Sequence, residues 1–400
     1  MRHNDTKTIL FINGIYPPDT GASARVLKDL ARAFVTKGWK VTVLSVVPSK
    51  QDALKVPSTR GIDYVPVICD ADPRKISGIF KLLMKLKKVG CKLPRHDLVV
   101  SMTDPPMLIH AGNHIAAKMD AKHIHWCQDL YPDLIKALDY PMPGWMYKLC
   151  FKSSRRLMKR ADRVIAIGRC MARHLKRTGV DPSRISVIPN WADLVLYRRP
   201  DKKPEKSKDE ETSDKFRLLY AGNLGKAHPY EAILSSLKTL NRTHDYVEFA
   251  FAGHKENFNP IDQAQRELKL ENITFLPYQP LPKLQTLLKG ADVHIVTMSE
   301  AAQGMLVPCK FYSALAAARP CIFIGPEDSE IGVIINDFEC GVIVSPDKPE
   351  DLTQAIKTYL ENPEIWFKHQ EGAYKAAQTL KPSHSINAWI TRAENTLKTI

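Results

Sequence analysis

Residues 291–325 read ADVHIVTMSEAAQGMLVPCKFYSALAAARPCIFIG. Val293–Thr297 is a short apolar, β-branched run, the pattern of a buried strand. Residues 298–307 form a loop carrying Ser, Glu, Gln and Gly. Pro308 stands where a first helical turn accepts proline. Phe311, Leu315 and Ala318 then recur at helical spacing. Arg319-Pro320 stops the helix, and Cys321 opens the next strand. In open α/β sheets, ligands bind where a loop leads from the carboxyl end of a strand into a helix. Free N–H groups at the helix start favour phosphate there. Lys310 lies in that first turn and adds a point charge. The stretch predicts an anion site for a nucleotide diphosphate. A solvated lysine on any strand-loop-helix reads the same way.

The rest of the chain bounds that reading. Its 400 residues exceed one ordinary core and suggest two domains. No apolar run reaches the roughly 20 residues that span a bilayer, and the N-terminus enters a strand with no cleavable signal pattern. The eight cysteines are spread without metal spacing and fit buried thiols in a reducing cytoplasm. A net charge of +15 implies an anionic partner: a membrane surface, nucleic acid or a phosphorylated substrate.

From the N-terminus, residues 8–13 read as a strand, 15–23 as a Pro/Gly-rich loop and 25–37 as an amphipathic helix before a strand at 40–46. Residues 75–95 hold no acid, and Ile76, Ile79, Phe80, Leu82, Leu83, Leu86 and Val89 alternate with Lys81, Lys85, Lys88 and other cations. Such a helix lies on anionic lipid, or packs its apolar face on its own domain. A second basic helix at 145–159, with Arg155 and Arg156, extends the same surface. Nucleic acid is not expected as a partner, since no aromatic platform or reader motif is present. His123, His125, Asp129 and Asp133 gather in and after the strand KHIHW. No third ligand at usable spacing makes them a metal site, so none is expected. His125 can equally face the core.

Residues 198–215 are charged, with two prolines, and read as a linker. Beyond it, FRLLYAGNLGKAHPYEAI gives a strand, a glycine loop through Gly222, Asn223, Gly225, Lys226 and His228, and a helix. Gly222 and Gly225 would let the backbone approach a phosphate. The domains expected are therefore 1–197, the linker 198–215, 216–384, and a last helix at 385–400. The β-α alternation in both halves predicts an α/β fold of two Rossmann-like domains facing across a cleft.

The order VP-x-K-FY-x-x-LAA-x-RP-x-IFIG resembles the donor-binding segment of retaining glycosyltransferases of family 4, two-domain enzymes of the GT-B fold. It is most similar to the branch that builds bacterial surface polysaccharides of the O-antigen, capsule and colanic-acid type. The resemblance runs over nearly the whole chain through YPPDTGAS, W-x-QDLYPD, VIPN and the strand-G-x-x-G-basic loop. It implies that Gly21 lies over the reacting sugar and phosphates, although a plain turn glycine fits too. It implies that the loop of Asp129 borders the acceptor, where a carboxylate orients or deprotonates a hydroxyl; capping of the following turn is the other reading. Lys226 and Lys310 would neutralise the leaving diphosphate. Tyr278 would stack on the base, form part of the wall or pack in the core. The family usually holds two glutamates with seven residues between them in this segment. Here those positions are Met305 and Ser313, so the ribose would meet only the Ser313 hydroxyl. In such enzymes a last helix often crosses back to the first domain.

The resemblance implies transfer of a sugar from a UDP- or GDP-linked donor to a hydroxyl acceptor, a lipid-linked saccharide. It implies retention, no bound metal and no cofactor beyond the donor, at the inner face of the cell membrane. Catalysis would rest on Asp129, Lys226 and Lys310. Substrate binding would rest on Gly21, Gly222, Asn223, Gly225, His228, Tyr278 and Ser313, and Lys81, Lys85, Lys88, Arg155 and Arg156 would face the membrane. Two rivals stay open: a nucleotide-sugar epimerase, and a non-catalytic partner in a polysaccharide-synthesis complex.

Overall fold

Short apolar runs become parallel strands only where both sheet faces are covered, and each half of this chain builds one such sheet. The computed structural model describes residues 6–18, 21–197, 200 and 215–398. The expected linker at 198–215 lies outside the described residues except at its two positions 200 and 215.

The first unit groups residues 1–190 with 304–307 and 383–400. Its strands are β1 (Thr8–Ile12), β2 (Lys40–Val47), β3 (Ile62–Ile68), β4 (Leu98–Ser101), β5 (Lys122–Cys127), β6 (Arg163–Ala166) and β7 (Ile185–Val187). They run parallel in the order β3-β2-β1-β4-β5-β6-β7. The helices between them are α1 (Ala22–Thr36), α2 (Lys50–Leu54), α3 (Ile76–Gly90), α4 (Ile109–Met119), α5 (Asp133–Ala137), α6 (Gly144–Arg160) and α7 (Arg169–Arg177). Leu10, Ile12, Leu44, Val99 and Ile115 anchor one core of this unit.

The second unit groups residues 191–303 with 308–382. Its strands β8 (Phe216–Ala221), β9 (Val247–Ala252), β10 (Ile273–Leu276), β11 (Val293–Thr297), β12 (Cys321–Ile324) and β13 (Gly341–Val344) are parallel in the order β10-β9-β8-β11-β12-β13. Its helices are α8 (Glu231–Thr243), α9 (Asn259–Leu268), α10 (Leu281–Lys289), α11 (Lys310–Ala316), α12 (Glu330–Phe338), α13 (Pro349–Glu361) and α14 (Pro363–Thr379). The last helix, α15 (Pro382–Lys398), falls almost wholly in the first unit. There Trp389 is fully buried, its ring 4.7 Å from that of Trp126.

The units part at 190–191 rather than at the expected 197–198. Hydrogen bonds explain the shift: Tyr197 Oη donates to the Leu380 carbonyl at 3.2 Å, and Gln285 Nε2 donates to the Val195 carbonyl. The helix of the opening stretch is also shorter than its spacing predicts. It ends at Ala316, and Ala318 takes a left-handed φ of 50°. Arg319 is fully buried there, its guanidinium donating to the carbonyls of Lys289, Ala291 and Ala318. Those bonds satisfy the charge where the chain must turn into β12.

Candidate functional site

In each sheet the strand order reverses at one place, between β1 and β4 in the first unit and between β8 and β11 in the second. The crevice beyond the carboxyl ends of such a strand pair is where these sheets bind ligands. The candidate residues gather at both places.

In the second unit, the loop after β8 meets the loop after β11. The Ser299 amide donates to the Ala227 carbonyl at 2.8 Å, and His228 Nδ1 donates to the Thr297 carbonyl at 2.7 Å. With Nδ1 carrying the proton, Nε2 of His228 is left as an acceptor. Burial, then the nearby Lys310, push the His228 pKa down to about 3, so the ring is neutral. Lys310 opens α11, and its Nζ lies 2.5 Å from Tyr220 Oη and 4.0 Å from the Tyr220 ring centroid. Tyr220 Oη in turn donates to the Asn223 carbonyl at 3.0 Å. The ammonium is thus held by one aromatic ring at its face and its hydroxyl. Among the described residues no ion pair joins it to a carboxylate, and burial lowers its pKa from 10.5 to about 7.

Gly222 sits beside this amine with φ +123°, and a Cβ built there would lie 3.6 Å from Lys310 Cε. Gly222→Ala should therefore cost about 1–3 kcal/mol through backbone strain, with little steric clash. A urea melt that left the variant as stable as the parent would refute this. Around Gly225 a Cβ would meet nothing within 4 Å, so that side of the loop is open. Asn223 is exposed, and its Oδ1 accepts from Asn257 Nδ2 at 2.7 Å. Lys226 is exposed on the same loop, and Ser313 is half-buried one turn beyond Lys310. Tyr278 is not a core residue: it is exposed and its ring stacks on His254, with centroids 5.7 Å apart and planes within 10°.

In the first unit, Gly14 follows β1, and its amide donates to the Asp104 carbonyl in the loop after β4. The Asp129 amide, after β5, donates to Thr103 Oγ1 at 3.2 Å. Burial, and then the Asp104 charge, raise the Asp129 carboxyl to about 6. Asp129 does not cap the next helix, because α5 starts from Pro132 with no side-chain cap. Gly21 occupies the N-cap position of α1. His123 and His125 face inward: both bond to Ser101 Oγ, at 2.9 and 3.0 Å, and burial holds them neutral with pKa values near 4 and 3. Among the described residues no group of three His, Cys, Asp or Glu side chains could hold a metal ion.

The basic helices divide their charges unevenly. On α3, Leu82 and Leu86 are buried while Ile76, Phe80 and Met84 form an exposed stripe, Phe80 at 65%. Lys81 and Lys88 flank that stripe, but Lys85 is half-buried and donates to the Ile68 carbonyl at 2.8 Å. Arg155 corrects the expectation of a surface cation. It is only 5% exposed, and its Nη2 donates to Asp133 Oδ1, which also pairs with His174 Nε2 at 2.8 Å. One residue of helix turns the side chain about 100° from its neighbour, so Arg155 points inward while Arg156 stays exposed. Among the described residues no helix is long and apolar enough to cross a membrane.

Reading the sequence missed Tyr220 and Asp104. Tyr220 looked like one more strand residue, although its place two residues before Gly222 marks it. Asp104 stands in MTDPP at the end of β4, and only the strand order shows that this loop meets the one after β1.

Residues 23–196 match the family model described as Glycosyltransferase Family 4, and residues 201–379 match Glycosyl transferases group 1. A probable glycosyltransferase, WbjE of Pseudomonas aeruginosa, is 25% identical over 290 residues, 72% of each chain. The Anabaena protein Alr3699/HepE, solved in complex with UDP and glucose, superposes with a TM-score of 0.69 at 16% identity, covering 98% of this chain and all of that one. Sucrose-phosphate synthase from Thermosynechococcus elongatus superposes with a TM-score of 0.77 at 15% identity, covering 98% and 99% of the two chains. With one glycosyltransferase segment on each parallel-sheet unit, this chain is a glycosyltransferase enzyme of the GT-B fold.

Proposed function

We propose that this enzyme moves a sugar from a UDP- or GDP-linked donor to a hydroxyl of a lipid-linked saccharide, with retention and without a bound metal, during surface polysaccharide synthesis. The carrying observation is the Lys310 amine beside the Gly222 backbone at the strand-order reversal of the second unit. Bond breaking leaves a diphosphate whose negative charge grows in the transition state. A half-buried amine held at Tyr220, protonated as the diphosphate arrives, stabilises that charge with little reorganisation. The likeness to WbjE and to a protein solved with UDP supports a nucleotide-sugar donor. In the first unit, Asp129 receives the acceptor hydroxyl. The exposed Phe80 stripe and its lysines rest on the anionic inner face of the membrane that carries the acceptor.

The test is a thermal-shift panel of UDP, GDP, ADP and CMP, with and without Mg²⁺. A ligand that binds only the folded state at 100 times its Kd adds about 2.7 kcal/mol of stability. Stabilisation by UDP or GDP alone, unchanged by Mg²⁺, is the expected outcome. A uniform response to all four, or none, would refute the donor assignment, and a shift that required Mg²⁺ would refute the metal-free reading.

A further inference from the structure

At the carboxyl ends of β5, β6 and β7 the backbone ladder stops, its last partners being Cys127, Ala166 and Val187. One residue beyond Cys127, the Gln128 side chain reaches past β6 to Asn190 in the loop after β7. Gln128 Nε2 donates to Asn190 Oδ1 at 3.2 Å, and Asn190 Nδ2 donates to Gln128 Oε1 at 2.6 Å. Both side chains are buried, at 7% and 1% exposure. The Asn190 end is itself tied down, since the Ile188 amide donates to the Ala166 carbonyl at 2.9 Å. Two apolar side chains of the same shape would hold the loops together about as firmly. What a reciprocal amide pair adds is direction, because each hydrogen bond fixes the distance and orientation of the other amide.

The next residue is Asp129. Its side chain is half-buried, and among the described residues its carboxylate has no hydrogen bond or ion pair. Its aim is therefore set by its own backbone. That backbone is held at three successive residues from three directions. Asn190 holds Gln128 from the end of β7, and Thr103 Oγ1 takes the Asp129 amide from the end of β4. The Leu130 carbonyl accepts the Leu134 amide of α5 at 3.0 Å. The ionisable groups facing the Asp129 carboxyl are Asp104, in the loop after β4, and Tyr131, whose phenol burial keeps protonated. Burial and then Asp104 raise that carboxyl to about 6, and it stays there only while the loop keeps it out of water.

Given the acceptor role proposed for Asp129, on which this rests, we infer that Gln128 and Asn190 are positioning residues: their amide pair holds the Asp129 carboxylate where the acceptor hydroxyl arrives. Neither amide touches substrate, and each acts through the loop. A shift of the loop by about 1 Å costs on the order of 10²-fold in rate.

The test removes the pair without leaving either amide unpaired. Gln128→Met with Asn190→Leu is made in the full chain, with and without Asp129→Asn, and matched thermal melts confirm the fold. Gln128→Met alone, which keeps Asn190 and its other contacts, is read in parallel and should move every readout the same way. In protein carrying carbon-13 at its aspartate carboxyls, the Asp129 signal (identified by its loss in Asp129→Asn) is titrated. Its midpoint should fall from about 6 toward 3.8 as the loosened loop meets water. Transfer is followed as nucleoside diphosphate released from UDP-glucose or GDP-mannose, with octyl glucoside as the acceptor. There kcat should fall about 30- to 100-fold with the donor KM unchanged, and the acid limb of the pH–rate profile should move down with the titration. In the Asp129→Asn background the same changes should cost little or nothing further, because no carboxylate is left to position. An unmoved titration, or an equal loss of kcat with and without Asp129, overturns the positioning role. The titration needs no substrate and decides the question where neither donor turns over. Parental kcat in Asp129→Asn alone is a different failure: it ends the acceptor role, and the positioning role with it.

Discussion

Lys310→Ala is expected to abolish the nucleotide-dependent thermal shift and to lower kcat/KM by about 10²–10³. The size follows from the environment of the amine. Lys310 Nζ is fixed at 2.5 Å from Tyr220 Oη and at 4.0 Å from the ring centroid, so it costs little to order when the diphosphate arrives. Lys226 is exposed, where a charge is more strongly screened. Lys226→Ala should therefore cost much less than Lys310→Ala. Equal losses at the two positions would show that the buried lysine is not the dominant cation. A Lys310→Ala enzyme with parental kcat/KM would end the assignment.

The same burial makes the site sensitive to pH in a direction that can be measured. Free Lys310 titrates near 7, lowered by desolvation. The groups around it are Tyr220, whose phenol burial pushes well up, neutral His228, and Cys309, the residue just before it. A diphosphate favours the ammonium, so binding above pH 7 takes up a proton. Nucleotide affinity should fall toward tenfold per pH unit above that point. The stability of the free protein should move the other way. The unfolded chain keeps this lysine charged up to about 10.5 and so binds more protons than the folded one above pH 7. Stability from this group therefore rises with pH across that window. Affinity that stayed flat from pH 7 to 9 would show that Lys310 is charged before the ligand arrives.

Much of this was legible because the signals were local. The 291–325 stretch marks its strands, loop and stop through β-branched runs and the Arg-Pro pair. The sheet order is not local, yet it is what places Lys310 beside Gly222. Helix α14 shows what sequence pattern hides. Pro363 stands in its first turn and Gly372 in its interior. A Cβ on Gly372 would come 2.3 Å from the Phe338 carbonyl, so the glycine lets the helix pack against the end of α12. Arg155 failed for a related reason. Its periodic neighbours are surface cations, and only the folded position of Asp133 explains its inward turn.

Asp129→Asn is expected to lower kcat by about 10²–10⁴, the range for losing a positioned proton acceptor. It should also remove the acid limb of the pH–rate profile. With its carboxyl raised to about 6, Asp129 is mostly ionised at neutral pH, yet close enough to the working pH to exchange a proton readily. Activity of the parent should fall about fivefold from pH 6 to 5 as the carboxylate is protonated, while the residual activity of the variant should not. Stability supplies the control against a purely structural role. A carboxyl whose folded pKa lies above its unfolded 3.8 binds protons more tightly when folded. Its contribution is most favourable below about 4 and is lost as pH rises through 6. Asparagine removes that cost, so the variant should be more stable at pH 7 by on the order of 1–3 kcal/mol. An inactive variant that is also less stable would point to lost folding. A less active but more stable one identifies a carboxylate kept in place for chemistry, at the expense of the fold.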